Sequence, residues 1–391
     1  MPRIPLTWLA EHVELPTGTT AEQLAADLVR VGLEEEAVHG AAVTGPLVVG
    51  RVVERTPEPQ KNGKTINWCR VDVGPHNEVA EDGTLRPRGI VCGAHNFEAG
   101  DLVVVALPGA VLPGPFPISS RRTYGHVSDG MICSAKELDL GEDHDGIIVL
   151  SPDDVDAAPG DDAKELLGLG EEVLEINVTP DRGYCFSMRG VAREYGHSTG
   201  AAFRDPAVLV EDDVRPAAGG FPVEVDDPAP IQGTLGCDRF VARVVRGVRA
   251  HGPSPAWMQR RLTQAGMRPI SLAVDVTNYV MLDLGQPLHA YDLAQVAAPV
   301  VVRRARAGEQ LRTLDGTLRD LHPEDLLITD SPADVGRAGR VLGLAGVMGG
   351  AESEVAEATS DLLIEAAHFD PVSVARTARR HRIPSEAGKR F

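Results

Sequence analysis

Little in this 391-residue chain advertises chemistry. Its five cysteines (Cys69, Cys92, Cys133, Cys185 and Cys237) are widely spaced and include no C-x-x-C pair. That argues against a disulfide framework and a thiolate zinc site, and leaves reduced core thiols as the expectation. The twelve histidines show no metal-ligand spacing; His322-Pro323-Glu324-Asp325 reads as a turn or a helix start. No apolar run approaches the ~18 residues of a membrane span, so no membrane partner is expected. The N-terminal MPRIPLTWLAEHVEL carries charges and a proline inside its apolar part and lacks a small-residue cleavage site, unlike a secretory leader. A soluble, cytoplasmic protein is expected. Also missing are a phosphate-cradling glycine pattern for ATP and a legible Ser-His-Asp or Cys-His arrangement. No internal repeat of roughly 20–50 residues and no low-complexity tract appear.

What is present suits a multidomain globular chain. The length allows two to four domains at roughly 100–200 residues each. A hydrophobic fraction of 43% is enough for sizeable cores. The net charge of −19 argues against a dedicated basic nucleic-acid binder. The charge is uneven, however. Residues 1–235 hold 18 basic and 39 acidic side chains, whereas residues 236–391 hold 20 and 18. Local patches decide contact with phosphate, and the candidates are Arg260, Arg261, Arg268, the Arg303/Arg304/Arg306 cluster and the arginines from 376 to 390. The plainer reading of each run is a solvated helix face.

Along the chain, residues 1–38 read as two helices. The second opens on a Thr20-x-x-Gln23 capping box and stops at Gly32. So small a pair cannot bury a core alone and should pack on a later segment. Residues 45–150 switch to short β-branched runs between glycine and proline turns, the pattern of a small all-β barrel. Residues 151–200 hold an acidic linker, an amphipathic segment and EEVLEINVTPDRGYCFSMRGVARE, a strand ending at Val178 and a helix beginning near Ser187. Thr179, Asp181 and Arg182 there suit a turn better than catalysis. A linker with some strand character spans 204–236. A new domain begins at 237, with a helix expected to have Ser254 as N-cap, Pro255 at N1 and Gly266 past its end.

Three stretches in that last domain carry chemistry. SLAVDVTNYVMLDLGQPLHAYD (271–292) sets Asn278 and His289 around a helix-to-loop break. LGLAGVMGGAES (342–353) reads as a buried strand running into a glycine turn. LLIEAAHFDPVSVARTARRH (362–381) places one carboxylate, Glu365, in an apolar strand ahead of a basic helix. A strand acid there needs a partner if buried, or it faces solvent on an edge strand. Together these stretches resemble the editing module of bacterial phenylalanyl-tRNA synthetase β subunits. The order LVVGRVVE, IVCGAHNFEAGDLVVVALPGAVLP, SDGMICSAKELDLGEDHDGIIVL also resembles the tRNA-binding OB-fold module of several synthetases. Glu58-Pro59-Gln60-Lys61-Asn62 stands where relatives carry His-Pro-Asn-Ala.

The resemblance implies an α+β multidomain chain. Its parts would be an N-terminal helical unit (1–40), an inserted OB-fold barrel (41–151), a return segment (152–203), a linker (204–236) and a mixed α/β editing domain (237–391). It implies hydrolysis of mischarged Tyr-tRNA(Phe), with His289, Asn278 and Thr277 at the ester and Glu365 receiving the tyrosine hydroxyl. Gly349, Ala387 and Ser385 would line the pocket, and Arg268 would meet the terminal ribose or phosphate. Gly388-Lys389 departs from the family's frequent Ser-His, so no role passes to Lys389. The implied partners are the 3′ end of tRNA(Phe) and the catalytic α subunit of an α2β2 enzyme. No cofactor or metal is expected in this portion, while Mg2+ and ATP belong to the whole enzyme. Relatives continue into further domains, so aminoacylation by this chain alone is not expected. A piece of a longer chain is the first explanation, a free-standing paralogue the second. The competing functions are a non-catalytic tRNA-binding or assembly module and a paralogue acting on another aminoacyl ester.

Overall fold

The computed structural model describes the chain apart from residues 40–42, 61–62, 64, 81, 139, 141–145, 151–156, 170, 207 and 209–218. Lys61, Asn62 and much of both expected linkers therefore lie outside the described residues. The chain divides into two compact units, Met1–Ala37 with Leu174–Phe391, and Val38–Val173.

The N-terminal stretch is not simply two helices. It begins with a strand, β1 (Arg3–Pro5), and a single turn, α1 (Leu6–Leu9), followed by α2 (Ala21–Leu28) and a second strand, β2 (Glu34–His39). The capping box on α2 is fully formed: Thr20 Oγ1 accepts from Gln23 N–H, and the Gln23 side chain accepts from Thr20 N–H. Gly32 ends the helical run in the left-handed region, φ 79°.

The second unit is a mostly antiparallel barrel-like sheet of β3 (Leu47–Pro59), β4 (Thr65–Asp72), β5 (Arg88–Cys92) and β6 (Leu102–Ala106). The strands run in the order β6-β3-β4-β5, and Met131–Ile132 and Val149–Leu150 both add to β6. The sheet nearly closes. Val91 N–H donates to Ser128 Oγ and Asp129 N–H to the Gly89 carbonyl, so single bonds stand in for a ladder. The valines of β6 are buried on both faces, which explains the unbroken run LVVVA.

After the barrel, β7 (Val173–Asn177) lies between β1 and β2 in one three-stranded sheet. Then come α3 (Met188–Thr199), β8 (Val223–Asp226), β9 (Cys237–Val245), α4 (Ala256–Gln264) and α5 (Leu272–Leu284). The first core joins Trp8, Leu24 and Leu28 to Val191, Leu262 and Leu282, so the N-terminal helices do find their cover in later segments. Pro255, not Ser254, is the N-cap of α4; the Ser254 hydroxyl donates instead to buried Asp275, 2.5 Å away. The remaining strands are β10 (Leu288–Asp292), β11 (Val300–Arg304), β12 (Leu326–Asp330), β13 (Arg340–Leu344), β14 (Met348–Gly349) and β15 (Leu362–Phe369), followed by α6 (Pro371–His381).

Two sheets share the second core. One runs β9-β15-β10, the other β8-β11-β12-β13-β14, and Leu363, Ala367 and Phe369 pack with Val300, Leu327 and Leu344. The linker thus contributes a strand, since β8 pairs in parallel with β11. The arginine cluster also changes meaning. Arg303 and Arg304 are buried in ion pairs with Glu309 and Asp227, so neither offers its charge to a phosphate. Arg261 pairs with Glu11, and Arg380 with Glu324 and Asp325.

Candidate functional site

β15 is the central strand of its sheet, with β9 on one side and β10 on the other. Glu365 sits in its middle at 7% exposure, which overturns the solvent-facing edge-strand alternative. The antiparallel register sets His289 of β10 directly opposite Glu365. Opposed residues in an antiparallel pair project from the same face of the sheet, with Cβ atoms about 5 Å apart. Tyr291, two residues on from His289, shares that face because strand side chains alternate.

The chain reaches this register through a pinned loop. α5 stops at Gly285, φ 83°, and Gln286 Nε2 donates to the carbonyls of Pro287 and of Ala367 in β15, each at 3.0 Å. The helix-to-loop break expected around His289 is present, but His289 lies on the strand that follows it.

Glu365, His289 and Tyr291 line a cavity of about 80 Å³. Its far wall is the β13–β14 hairpin from Gly343 to Gly349; Ala387 and Phe391 close one side. The hairpin turns at Ala345-Gly346-Val347, with Gly346 at φ 69°, so Gly349-Gly350 is not the turn. Gly349 has a different use: a Cβ there would stand 2.6 Å from Cε1 and Nε2 of His289. Its missing side chain is the seat of the imidazole.

The buried acid has a partner from its own chain. Tyr291 donates its hydroxyl to Glu365 Oε2 at 2.5 Å. The other carboxylate oxygen has no protein hydrogen bond among the described residues. Burial pushes the Glu365 carboxyl up to about 7, against the downward pull of the Tyr291 hydrogen bond. Burial, together with the Glu365 charge, raises the Tyr291 phenol, which stays protonated. Burial holds His289 down at about 4, so at neutral pH the ring is uncharged, with one nitrogen able to donate and the other to accept. Its edge meets Tyr291 at a centroid distance of 4.5 Å. Neither ring nitrogen is engaged by protein among the described residues. A neutral imidazole and a nearly neutral-pH carboxyl beside a small cavity can order water and accept a hydroxyl.

Of the expected site residues, Glu365, His289, Gly349 and Ala387 line this cavity. Asn278 and Thr277 do not; both are on α5, and the Thr277 hydroxyl donates to the Val274 carbonyl at 2.7 Å. Ser385 is also off the lining, its Oγ accepting from Gly388 N–H. Arg268 is exposed between α4 and α5, without a charged partner among the described residues. The sequence reading missed Tyr291. The signal was available, since in His289-Ala290-Tyr291 the outer two residues must share a strand face.

In the barrel, a second hollow of about 500 Å³ is bordered by His95, Arg121, Thr123 and Tyr124. Arg121 and Tyr124 are exposed there. Glu58, at the start of the divergent segment, pairs with His126 Nε2 at 3.0 Å. No group of side chains fit to hold a metal is found among the described residues.

Comparison with known proteins adds names to these parts. Residues 236–391 match the family model described as "B3/4 domain", and residues 47–161 the one described as "Putative tRNA binding domain". The whole chain is 60% identical to the phenylalanine–tRNA ligase β subunit of Bifidobacterium longum and 59% identical to that of Leifsonia xyli, covering 46% of each. It is 54% identical to the Streptomyces avermitilis β subunit, covering 44%. The chain therefore spans about half the length of the curated relatives it matches. A solved N-terminal fragment of the Pyrococcus horikoshii phenylalanyl-tRNA synthetase β subunit aligns over 54% of this chain and 62% of that one. Its identity is 16% and its TM-score 0.28, too low to bear on the fold. Over its full length the chain is thus similar to phenylalanine–tRNA ligase β subunits of bacteria, and the two family-model matches fall on the barrel and on the segment that holds the cavity.

Proposed function

We propose that the cavity between β10, β15 and the β13–β14 hairpin hydrolyses the ester of tyrosine wrongly attached to tRNA(Phe). The observation that carries this reading is the register opposition of His289 and Glu365 across one cavity of the B3/4 domain. Tyrosine exceeds phenylalanine by one hydroxyl, an addition that a phenylalanine-shaped pocket rejects only weakly. A second site built around a buried acceptor inverts the preference, because a guest without the hydroxyl leaves that acceptor unpaired, at about 1–3 kcal/mol.

In the reaction, water adds to the ester carbonyl, the bond to the ribose oxygen breaks, and that oxygen takes the proton. Tyrosine and free tRNA are the products. Neutral His289 holds the water or the ribose hydroxyl, and Glu365 anchors the phenol. No enzyme nucleophile is needed, since positioning does the work. At about 80 Å³ the cavity is smaller than the ~150 Å³ that holds a benzene molecule, so admitting an aromatic guest requires wall side chains such as Met348 and Phe391 to move aside.

The remaining assignments belong to the same proposal. The barrel holds part of tRNA(Phe), and the α subunit supplies aminoacylation with ATP and Mg2+ in a cytoplasmic α2β2 enzyme. The test is incubation of the chain with Tyr-tRNA(Phe). Release of tyrosine by the wild type well above that by Glu365→Gln, with both folded, is expected; equal rates overturn the reading. The competing RNA-holding module without chemistry draws support from the Tyr291–Glu365 bond, which gives the carboxyl a structural use. Under that reading, tRNA affinity falls with salt as usual but no ester is cleaved.

A further inference from the structure

We infer that Tyr291 sets the amino-acid preference of the cavity, by holding one oxygen of Glu365 so that the other is presented to a guest phenol. This rests on the reading of the cavity as a tyrosyl-ester site and goes one step further, to a positioning residue that acts through Glu365.

The geometry supports a fixed carboxylate. Tyr291 is 2% exposed and packed in the second core, with His289 against its ring at 4.5 Å, so its hydroxyl cannot swing away. That hydroxyl lies 2.5 Å from Glu365 Oε2, and no other protein group among the described residues hydrogen-bonds the carboxylate. A glutamate side chain has rotamer freedom that a single anchored oxygen removes. The unengaged oxygen belongs to a residue that lines the cavity, where a guest hydroxyl can donate to it. A guest lacking the hydroxyl leaves that oxygen without a donor.

Charge points the same way. An ionised carboxylate accepts a phenol hydrogen bond more strongly than a neutral acid does. Burial already pushes this carboxyl up to about 7, and Tyr291 is the group that pulls it down. The titratable groups around it are His289 and Tyr291 on β10 and Cys237 on β9, whose thiol is raised by burial and stays neutral. The wall from Gly343 to Gly349 and Ala387 bring no titratable side chain. Without the Tyr291 hydroxyl the carboxyl holds its proton to higher pH, and the preference at neutral pH weakens.

The experiment measures binding of L-tyrosinamide and L-phenylalaninamide to the 391-residue chain from pH 6 to 9. Both probes carry the same amine, so its titration cancels in the ratio of their dissociation constants. In the wild type the ratio favours tyrosinamide and grows as pH rises through about 7. Tyr291→Phe, which removes one oxygen and leaves the ring, lowers the ratio at pH 7 roughly tenfold and moves its rise to higher pH. Glu365→Gln makes the ratio flat with pH. Glu365→Asp, which draws the carboxyl back from Tyr291 by one methylene, lowers the ratio in the same direction and serves if the first variant does not fold. A Tyr291→Phe ratio and midpoint equal to wild type overturn the role of Tyr291 and leave the tyrosyl-ester reading standing. A wild-type ratio that matches Glu365→Gln at every pH overturns both.

Discussion

Gly349 and His289 face each other so closely that the imidazole fills the space a methyl group on residue 349 would take, 2.6 Å from its Cε1 and Nε2. The two come from different sheets, β14 and β10, and their fit fixes where the ring nitrogens stand.

Gly349→Ala therefore pushes the imidazole off its seat. Overpacking of this kind costs about 1–3 kcal/mol, which a denaturant titration will read. Hydrolysis of Tyr-tRNA(Phe) is expected to drop roughly a hundredfold, in line with the loss of a positioned group. The drop should exceed what the fraction folded explains. A variant that is destabilised yet hydrolyses at the wild-type rate would remove His289 from the reaction.

Glu365 gives a pH signature in stability. Its carboxyl moves from 4.5 up to about 7 on folding, so the native chain holds the proton more tightly. The associated stability is fully present below the unfolded value and is lost as pH climbs through about 7. Glu365→Gln keeps an acceptor for Tyr291 and cannot ionise. It should exceed the wild type in stability by about 2–3 kcal/mol at pH 8 and lose most of that advantage at pH 5. A stability difference that is the same at both pH values counts against a buried, titrating acid.

The rate profile separates the two site residues. His289, held at about 4, is neutral across pH 6–8 and contributes no inflection there. An inflection near 7 in kcat/KM belongs to Glu365. His289→Gln is expected to lower the rate and keep the inflection, whereas Glu365→Gln abolishes it. Loss of the inflection in His289→Gln would reassign the titration to the imidazole.

Away from the cavity, Asp325 is fully buried and accepts from Thr377, Arg380 and His381 on α6 and from its own turn at His322. It ties α6, which leads to Ala387, onto the strand floor. Asp325→Ala removes the acceptor shared by Thr377, Arg380 and His381, leaving Glu324 as the remaining acid beside Arg380, and should cost about 1–3 kcal/mol in urea unfolding. A loss under about 1 kcal/mol would mean the cluster rehydrates freely.

Much of the local structure was legible in the chain. Thr20 and Gln23 announce their capping box, Gly32 and Gly285 end helices because a left-handed φ suits glycine, and the β-branched runs of 45–150 declare strands. Ser254 misled because a serine ahead of a proline reads as an N-cap, whereas the fold offered its hydroxyl a buried aspartate. The arginine runs misled for a similar reason. Composition counts charges but does not say that Arg303 and Arg304 meet Glu309 and Asp227 inside a core.

The sequence by itself determined the capped helix after Thr20, the β-branched strands of 45–150 and the place of Glu365 within an apolar strand, since those follow from cap chemistry and from periods of 2 and 3.6 residues. Only the tertiary structure decided that β15 is central, that His289 stands opposite Glu365, that Tyr291 reaches the carboxyl, and that Gly349 from another sheet makes room for the ring. It also left Asn278 and Thr277 off the cavity lining. The physical reason is that register and sheet order are set by contacts between residues up to some 130 positions apart, through packing that no local pattern encodes.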